Sequence, residues 1–412
     1  MIVPPGNGRG KASRATLPQV KLKVTPTDFL VEEETDLRVS ARTAPYAVFR
    51  LSKQSWDTFD LIDLLARRLR VRPEDISVGG FKDRHGSTSQ LVTVKGLRRK
   101  PAPMRDRNFS LEFKGWSESA ASAREVRGNR FAITLRDMGP AEAGRIPRNV
   151  EAVSADGFPN YFDEQRFGSA RHGAGFMGKE ILLGRRENAL RLYFTPSKHD
   201  DQKTRKLKKC VIENWGTWEV CAGLAFGEYG RILSYLAGSR RAYHQALEMI
   251  DRRFLLFVVN AYQSFLFNEV LARWMRLQAS AGGFSLHALP YAFGVYEFFD
   301  RLPRELAHTL ASAVLPVPGH DSRVTNPDVR AVLREVLAGE GIRLADLKVR
   351  QMRRIIVHGV ERSALVVPQE LSASAPEEDD LYPGKKKMTL RFFLPRGSYA
   401  TILVKRIALA TP

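Results

Sequence analysis

Two hydrophobic periods divide this chain, and their segregation is the strongest constraint on its fold. Alternation starts at Val20, Leu22 and Val24, with Lys21 and Lys23 on the other face, the pattern of a half-buried strand. It returns at Tyr46–Lys53, Ile76–Lys82, Gln90–Lys95, Phe109–Phe113 and Phe131–Leu135. Among these strands sits one helix: Phe59, Ile62, Leu65 and Leu69 fall at near-helical spacing, Asp57 or Thr58 is placed to cap it, and Pro73 stops it. From about residue 156 the period turns helical, with long segments at Phe254–Met275 and Pro327–Leu337, the second capped by Thr325 or Asn326 and ended by Gly339. Strand character reappears at Ile355–Val357, Ala364–Val367 and Met388–Phe393, the last after an acidic linker, SASAPEEDD. Strands at both ends of a helical middle predict an α+β protein, a sheet domain interrupted by an insertion. The expected bounds are 20–155 and 350–412 for the sheet domain and 156–349 for the insertion, with residues 1–19 as a mobile basic arm.

The 412 residues suffice for two or three domains at about 150 residues each. Lys and Arg outnumber Asp and Glu by 65 to 45, a formal net charge of +20, in a chain that is 43% hydrophobic. Such a composition folds, so the charge must lie on a folded surface, where it attracts polyanions, nucleic acid first among them. The basic run Lys95–Arg107, which includes Arg98, Arg99 and Lys100, and the run Lys198–Lys209 are the natural candidates for phosphate contact.

Other classes are disfavoured. Cys210 and Cys221 provide no disulfide framework and no zinc-ligand spacing, and the eight histidines are scattered singly, so no metal site is expected. Residues 1–19 contain no apolar h-region, so no signal peptide is expected. The most apolar stretch, Phe254–Ala272, is broken by Asn260, Gln263, Ser264, Asn268 and Glu269, which disfavours a membrane span. The expectation is a reduced, cytoplasmic protein.

Three short motifs bear on chemistry. GAGFMGKE, Gly173–Glu180, satisfies GxGxxG but lacks the preceding apolar strand of a dinucleotide fold, and Glu180 stands where a phosphate loop needs Ser or Thr. An ordinary glycine-rich loop leading into a helix is the expected reading. In GGFKDRHGSTSQ, Gly79–Gln90, Asp83 lies between Lys82 and Arg84, and two cations favour its ionised form as nucleophile or base; a turn aspartate is the plainer alternative. GNRF, Gly128–Phe131, sets an amide beside an aromatic, as a pocket for an everted base requires and as a turn entering a strand also does.

GFKDRHGSTSQ strongly resembles the signature of the TruD family of pseudouridine synthases. Further blocks resemble the family in the same order: KVTPTDFLVEE from Lys23, KQSWDT from Lys53, RGNRFAITLRD from Arg127, GFPNYFDEQRFGSAR from Gly157, NAYQSFLFNEVLARW from Asn260 and LPRGSYATILVKRI from Leu394. The resemblance implies a pseudouridine-synthase catalytic domain carrying the family's insertion. It implies isomerisation of uridine in tRNA or other structured RNA, typically tRNA uridine 13, without cofactor or metal. Asp83 matches the catalytic aspartate, attacking C1′ or deprotonating C2′ of the ribose. By the same carry-over Phe131 stacks on the uracil, Asn129 holds Asp83 or the base, and Lys23, Phe29, Lys82 and Arg84 complete the pocket. Arg166 and Arg171 are candidates for gripping RNA phosphates, against a plain packing role for their block. Residues 183–253 resemble the longer archaeal and eukaryotic forms, which leaves the target uridine open. A monomer without an obligate protein partner is expected; the competing function is a catalytically silent RNA-binding or tRNA-folding protein.

Overall fold

The computed structural model describes residues 13–14, 20–80, 82, 86–97, 99–170, 172–348 and 355–410. Asp83, Arg84, Arg98, Arg171 and the 1–19 arm, its residues 13–14 excepted, therefore lie outside the described residues. The chain divides into two compact units, one built on Pro159–Leu365 and the other on Ala15–Phe158 with Val366–Pro412. The sequence reading puts the return to the sheet at 350, whereas the contacts put it after Leu365.

The discontinuous unit opens with β1 (Phe29–Thr35), β2 (Tyr46–Gln54), α1 (Thr58–Leu69), β3 (Ile76–Val78), β4 (Ser87–Lys95), β5 (Met104–Asp106), β6 (Phe109–Ser117), β7 (Val126–Met138) and α2 (Pro140–Asp156). The other unit contributes α3 (Met177–Leu182), α4 (Arg186–Phe194), α5 (Gln202–Glu213), α6 (Gly227–Gly238), α7 (Tyr243–Glu248), α8 (Arg252–Gly282), β8 (Leu286–Tyr291), β9 (Gly294–Phe299), α9 (Arg304–Ser312), β10 (Val314–Val317), α10 (Pro327–Gly339) and β11 (Val360–Ser363). The chain then returns through β12 (Gln369–Ala373), β13 (Glu377–Glu378), β14 (Lys386–Pro395) and α11 (Ala400–Ala408). One sheet gathers the strands of the discontinuous unit in the order β12-β14-β7-β1-β4-β2-β6-β5, with β13 on β14 and β3 on β4. β1 and β4 run parallel, and the other described pairs of this sheet are antiparallel. The α+β expectation holds.

Alternation explains the core of this unit. Phe49, Leu51, Val92, Val94 and Leu111 turn to one face, where Leu61 and Leu65 of α1 meet them. Asp57 caps α1 by accepting from the Phe59 backbone N–H, and Arg70 closes the helix in the left-handed conformation. The buried stripe runs through Leu61 and Leu65, so Phe59, assigned to the apolar face from its spacing, is 52% exposed. The strand expected at residues 20–24 does not form: Lys21 makes a single backbone bridge to Arg136, and Pro26, which has no N–H, leads into a tight turn over Pro26–Asp28. SASAPEEDD is likewise not a linker. Ser374 N–H donates to the Thr389 carbonyl, Glu378 pairs with Lys386, and the buried Asp379 accepts from Arg136 Nη1 at 2.8 Å and from the Asp137 N–H at 2.9 Å. Those cations neutralise acids that looked solvated in sequence.

In the Pro159–Leu365 unit, α8 is long and apolar enough to cross a membrane, but 72% of its most apolar window is buried in the protein, so it is a core helix. Its polar breaks are hydrogen-bonded inside. Asn268 accepts from the Phe162 N–H at 2.8 Å and donates to the Phe162 carbonyl at 2.9 Å. This bond joins the NYFDEQRF and NAYQSFLFNE blocks, so their resemblance reflects mutual packing as well as any function. GAGFMGKE behaves as the ordinary reading expects: a Cβ on Gly178 would lie 2.4 Å from the Val258 carbonyl oxygen, and Lys179 pairs with Glu340 at 2.8 Å. Both groups a phosphate would need are already in use.

The cysteines correct one expectation. Cys210, at the end of α5, and Cys221 form a disulfide, with their Cα atoms 5.9 Å apart. The helix end and the turn behind it fold the intervening residues into a short loop that a count of spacings does not reveal.

Candidate active site

The chain segment leading into Asp83 is fixed from four sides. Thr58 Oγ1, at the start of α1, donates to the Lys82 carbonyl at 3.1 Å and accepts from the Lys82 N–H at 3.3 Å. Lys53, buried at the end of β2, donates from Nζ to the same carbonyl at 3.2 Å and to the Trp56 carbonyl at 2.9 Å. The Lys82 side chain is held as firmly, with Nζ 2.5 Å from Glu33 Oε2 and donating to Asn129 Oδ1 at 2.9 Å. Beyond the three undescribed residues, Gly86 has φ +149°, and a Cβ there would stand 2.9 Å from the Phe29 carbonyl oxygen. Only glycine fits that approach to β1.

Strand register explains why these groups meet. β1 and β7 pair Glu33 with Asn129 and Val31 with Phe131, and β7 and β14 pair Phe131 with Phe392. The period of two then puts Phe29 and Glu33 on the same face as Asn129 and Phe131. Phe131 is half-buried, stacked on Phe392 at 5.2 Å and 24° and meeting Phe29 edge-on at 6.1 Å. Lys23 Nζ lies 4.1 Å over the Phe29 ring, and Lys23 itself has φ +56°, an uncommon conformation for a side-chain-bearing residue.

The electrostatics centre on Glu33. Burial pushes its carboxyl above the ordinary value of 4.5, and the Lys82 ammonium opposes that shift. An acid and a base thus sit against the Asn129 amide, on the sheet face that also carries Phe131. The arrangement can hold a planar heterocycle against Phe131 and supply polar groups to its edge.

The structure brings together Lys23, Phe29, Lys82, Asn129 and Phe131. Arg99 and Lys100 are exposed in the same unit, Lys100 Nζ lying 5.9 Å from the Phe113 ring. Arg166 belongs to the Pro159–Leu365 unit and donates from Nε to Ser264 Oγ at 3.2 Å, a packing contact. In the basic 198–209 run, Lys208 pairs with Asp200 at 3.0 Å, while Lys203, Lys206 and Lys209 are exposed on α5. Glu33, Lys53 and Thr58 were missed in sequence. Glu33 alone carried a signal, a carboxylate on the face that Phe29 and Val31 mark as apolar; nothing local distinguishes Lys53 or Thr58.

A family model described as tRNA pseudouridine synthase D (TruD) matches residues 15–407. A probable tRNA pseudouridine synthase D 2 of Methanocaldococcus jannaschii is 30% identical over 395 residues, covering 94% of this chain and 91% of its own. The tRNA pseudouridine synthase D of Leptospira interrogans is 28% identical over 417 residues, covering 94% of this chain and 96% of its own. The crystal structure of a putative TruD from Methanosarcina mazei superposes with a TM-score of 0.70 at 24% identity, covering 96% of this chain and 95% of that one, and so shares its fold. Matched over nearly its whole length, the chain belongs to the TruD family of tRNA pseudouridine synthases.

Proposed function

We propose that this tRNA pseudouridine synthase acts on uridine 13 of tRNA and uses Asp83 as its reacting carboxylate. The observation that carries the reading is the fixation of Lys82, the residue before Asp83, by Thr58, Lys53, Glu33 and Asn129. A carboxylate that must reach one ribose carbon gains most from a rigid neighbour, because small misplacements are costly in rate.

In the proposed sequence the uridine everts from the stacked RNA and its uracil lies against Phe131. Unstacking costs a few kcal/mol and stacking on an aromatic returns about 1–3 kcal/mol. Asp83 attacks C1′ or removes the C2′ proton, and the C1′–N1 bond breaks. Uracil turns and C5 bonds to C1′, displacing the Asp83 carboxylate in the first case or with Asp83 returning the proton to C2′ in the second, and C5 loses its proton as N1 gains one. Substrate and product are isomers, so no oxidant, reductant or energy source enters the balance. Lys82 and Asn129 orient Asp83 or the uracil edge, Lys23 and Phe29 support the ring, and Arg84 completes the pocket. Arg98, Arg99, Lys100 and Arg171 hold phosphates, a role in which the bound Arg166 is weaker. The unit of Ala15–Phe158 with Val366–Pro412 is the catalytic domain and the Pro159–Leu365 unit is the insertion; the enzyme works as a cytoplasmic monomer.

The test is pseudouridine mapping of tRNA treated with the wild type and with Asp83→Asn. Modification at position 13 that disappears in the variant, with tRNA affinity within a few fold, supports the reading. Activity retained by Asp83→Asn would sink it.

A further inference from the structure

The histidines that stand singly in sequence do not all stand singly in the fold. β10 and β11 pair Val317 with Val360, so the chain leaving β10 and the chain entering β11 lie together at one end of the ladder. Those segments are Pro318–Ser322 and Val357–Gly359, and each carries a histidine next to a glycine. A Cβ on Gly319 would lie 2.0 Å from the Gly359 nitrogen, and one on Gly359 would lie 2.1 Å from Ser322 Oγ. The two backbones are thus in direct contact. Gln263 of α8 fastens both to the core, donating from Nε2 to the Pro318 carbonyl at 2.8 Å and to the His358 carbonyl at 2.7 Å.

On this framework His320, His358 and Asp321 converge. We propose that they form a binding site for a divalent first-row transition-metal ion, zinc fitting best. One ligand atom from each lies within 4.8 Å of the others, and among the described residues no other group of His, Cys, Asp and Glu meets this condition. His320 Nδ1 is 2.7 Å from the Val357 carbonyl, which can only accept, so Nδ1 carries the proton and Nε2 keeps its lone pair for a metal. Asp321 Oδ1 accepts from the Gly359 N–H at 2.7 Å while Oδ2 faces His358 Nδ1 at 2.8 Å, which aims both side chains.

Ligands of a tetrahedral ion with bonds of about 2.0–2.2 Å lie roughly 3.4 Å apart, so the ligand atoms, now within 4.8 Å, draw together by at most about 1.4 Å. His358 and Asp321 are exposed, so a bound ion can take the place of the hydrogen bond between them. Two imidazoles and one carboxylate suit zinc, nickel or copper; magnesium and calcium prefer all-oxygen sites. Three protein ligands leave a fourth position for water. The site lies in the Pro159–Leu365 unit, apart from the Lys82 cluster in sequence and in chemistry, and goes beyond the uridine reaction.

The full-length chain, stripped with a chelator, is titrated with zinc chloride by calorimetry, with magnesium chloride as control. One zinc per chain is expected and no magnesium at the same concentrations. His320→Ala and His358→Ala should each weaken zinc by at least about tenfold. On the wild type, zinc should also protect His320 and His358 from acylation by diethyl pyrocarbonate, read by mass spectrometry, which requires no variant to fold. Absence of a stoichiometric site, unchanged affinity in both variants, or equal acylation of the two histidines with and without zinc overturns the proposal.

Discussion

Lys82 and Glu33 form an ion pair whose acid is the more deeply buried partner: Nζ stands 2.5 Å from Oε2, with 11% of the lysine side chain and 1% of the glutamate side chain exposed. Because burial outweighs the ammonium in setting the Glu33 carboxyl above 4.5, ionising Glu33 is disfavoured in the fold even with Lys82 beside it. The two halves of the pair should therefore behave oppositely when removed.

Glu33→Gln leaves the fold at least as stable as the wild type at pH 7 and slows turnover by up to about 100-fold, the scale of a 1 Å misplacement. Urea unfolding and single-turnover pseudouridine formation measure the two effects. Lys82→Met strands a buried carboxylate and destabilises by about 3 kcal/mol at neutral pH.

The pH dependence has a definite sign. A raised carboxyl pKa means that the folded chain holds the Glu33 proton to higher pH than the unfolded chain does. The stability associated with that proton is fully present below 4.5 and is lost as pH rises through the folded pKa. The wild type should thus lose stability relative to Glu33→Gln over that window, and Lys82→Met should recover on acidification. Thermal unfolding of the three proteins across the acid range checks both.

Thr58→Val removes two hydrogen bonds to the Lys82 backbone at nearly constant volume. The expected outcome is a fall in kcat with little change in KM, because the RNA surface is untouched while the segment before Asp83 loosens. A change in KM alone would remove Thr58 from this role.

Phe131→Ala should lower kcat/KM by the equivalent of about 1–3 kcal/mol of stacking. Phe392, buried behind it, should instead cost about 3 kcal/mol of stability when cut to alanine. Chemical denaturation alongside steady-state kinetics separates a base-stacking ring from its support.

Lys179→Ala tests the glycine-rich segment. Its half-exposed pair with Glu340 is worth no more than about 1 kcal/mol, and the variant should keep full activity, with ATP leaving the unfolding temperature of both proteins unchanged. Gly178→Ala should destabilise by about 1–3 kcal/mol, since its Cβ has no room against α8.

The sheet and the long helices were legible because period and caps are local: Tyr46–Gln54, Thr58–Leu69 and Pro327–Gly339 all announce themselves. Residues 20–24 misled because alternation says nothing of whether a partner strand is available. The acidic segment before β14 misled because Arg136, which neutralises Asp379, lies 243 positions away. The same distance effect hid the site. Asn129 and Phe131 emerged from a family resemblance, whereas Lys53 and Thr58 acquire meaning only once β2 and α1 converge on Lys82. The paired cysteines and the two histidines were invisible for a related reason, since spacing along the chain does not report closure in space.

The pairing of β7 with β14 has a consequence for the protein's birth. Phe131 and Phe392 are opposite residues in the sheet, yet the whole Pro159–Leu365 unit is made between them. At about 5–20 residues per second the ribosome needs on the order of 13–50 s to go from the end of β7 to the end of β14. Throughout that interval β7 is an unpaired edge, open to other chains. A nascent chain of this design must wait for its last strand, and whatever shields β7 in the meantime governs how much active enzyme is made.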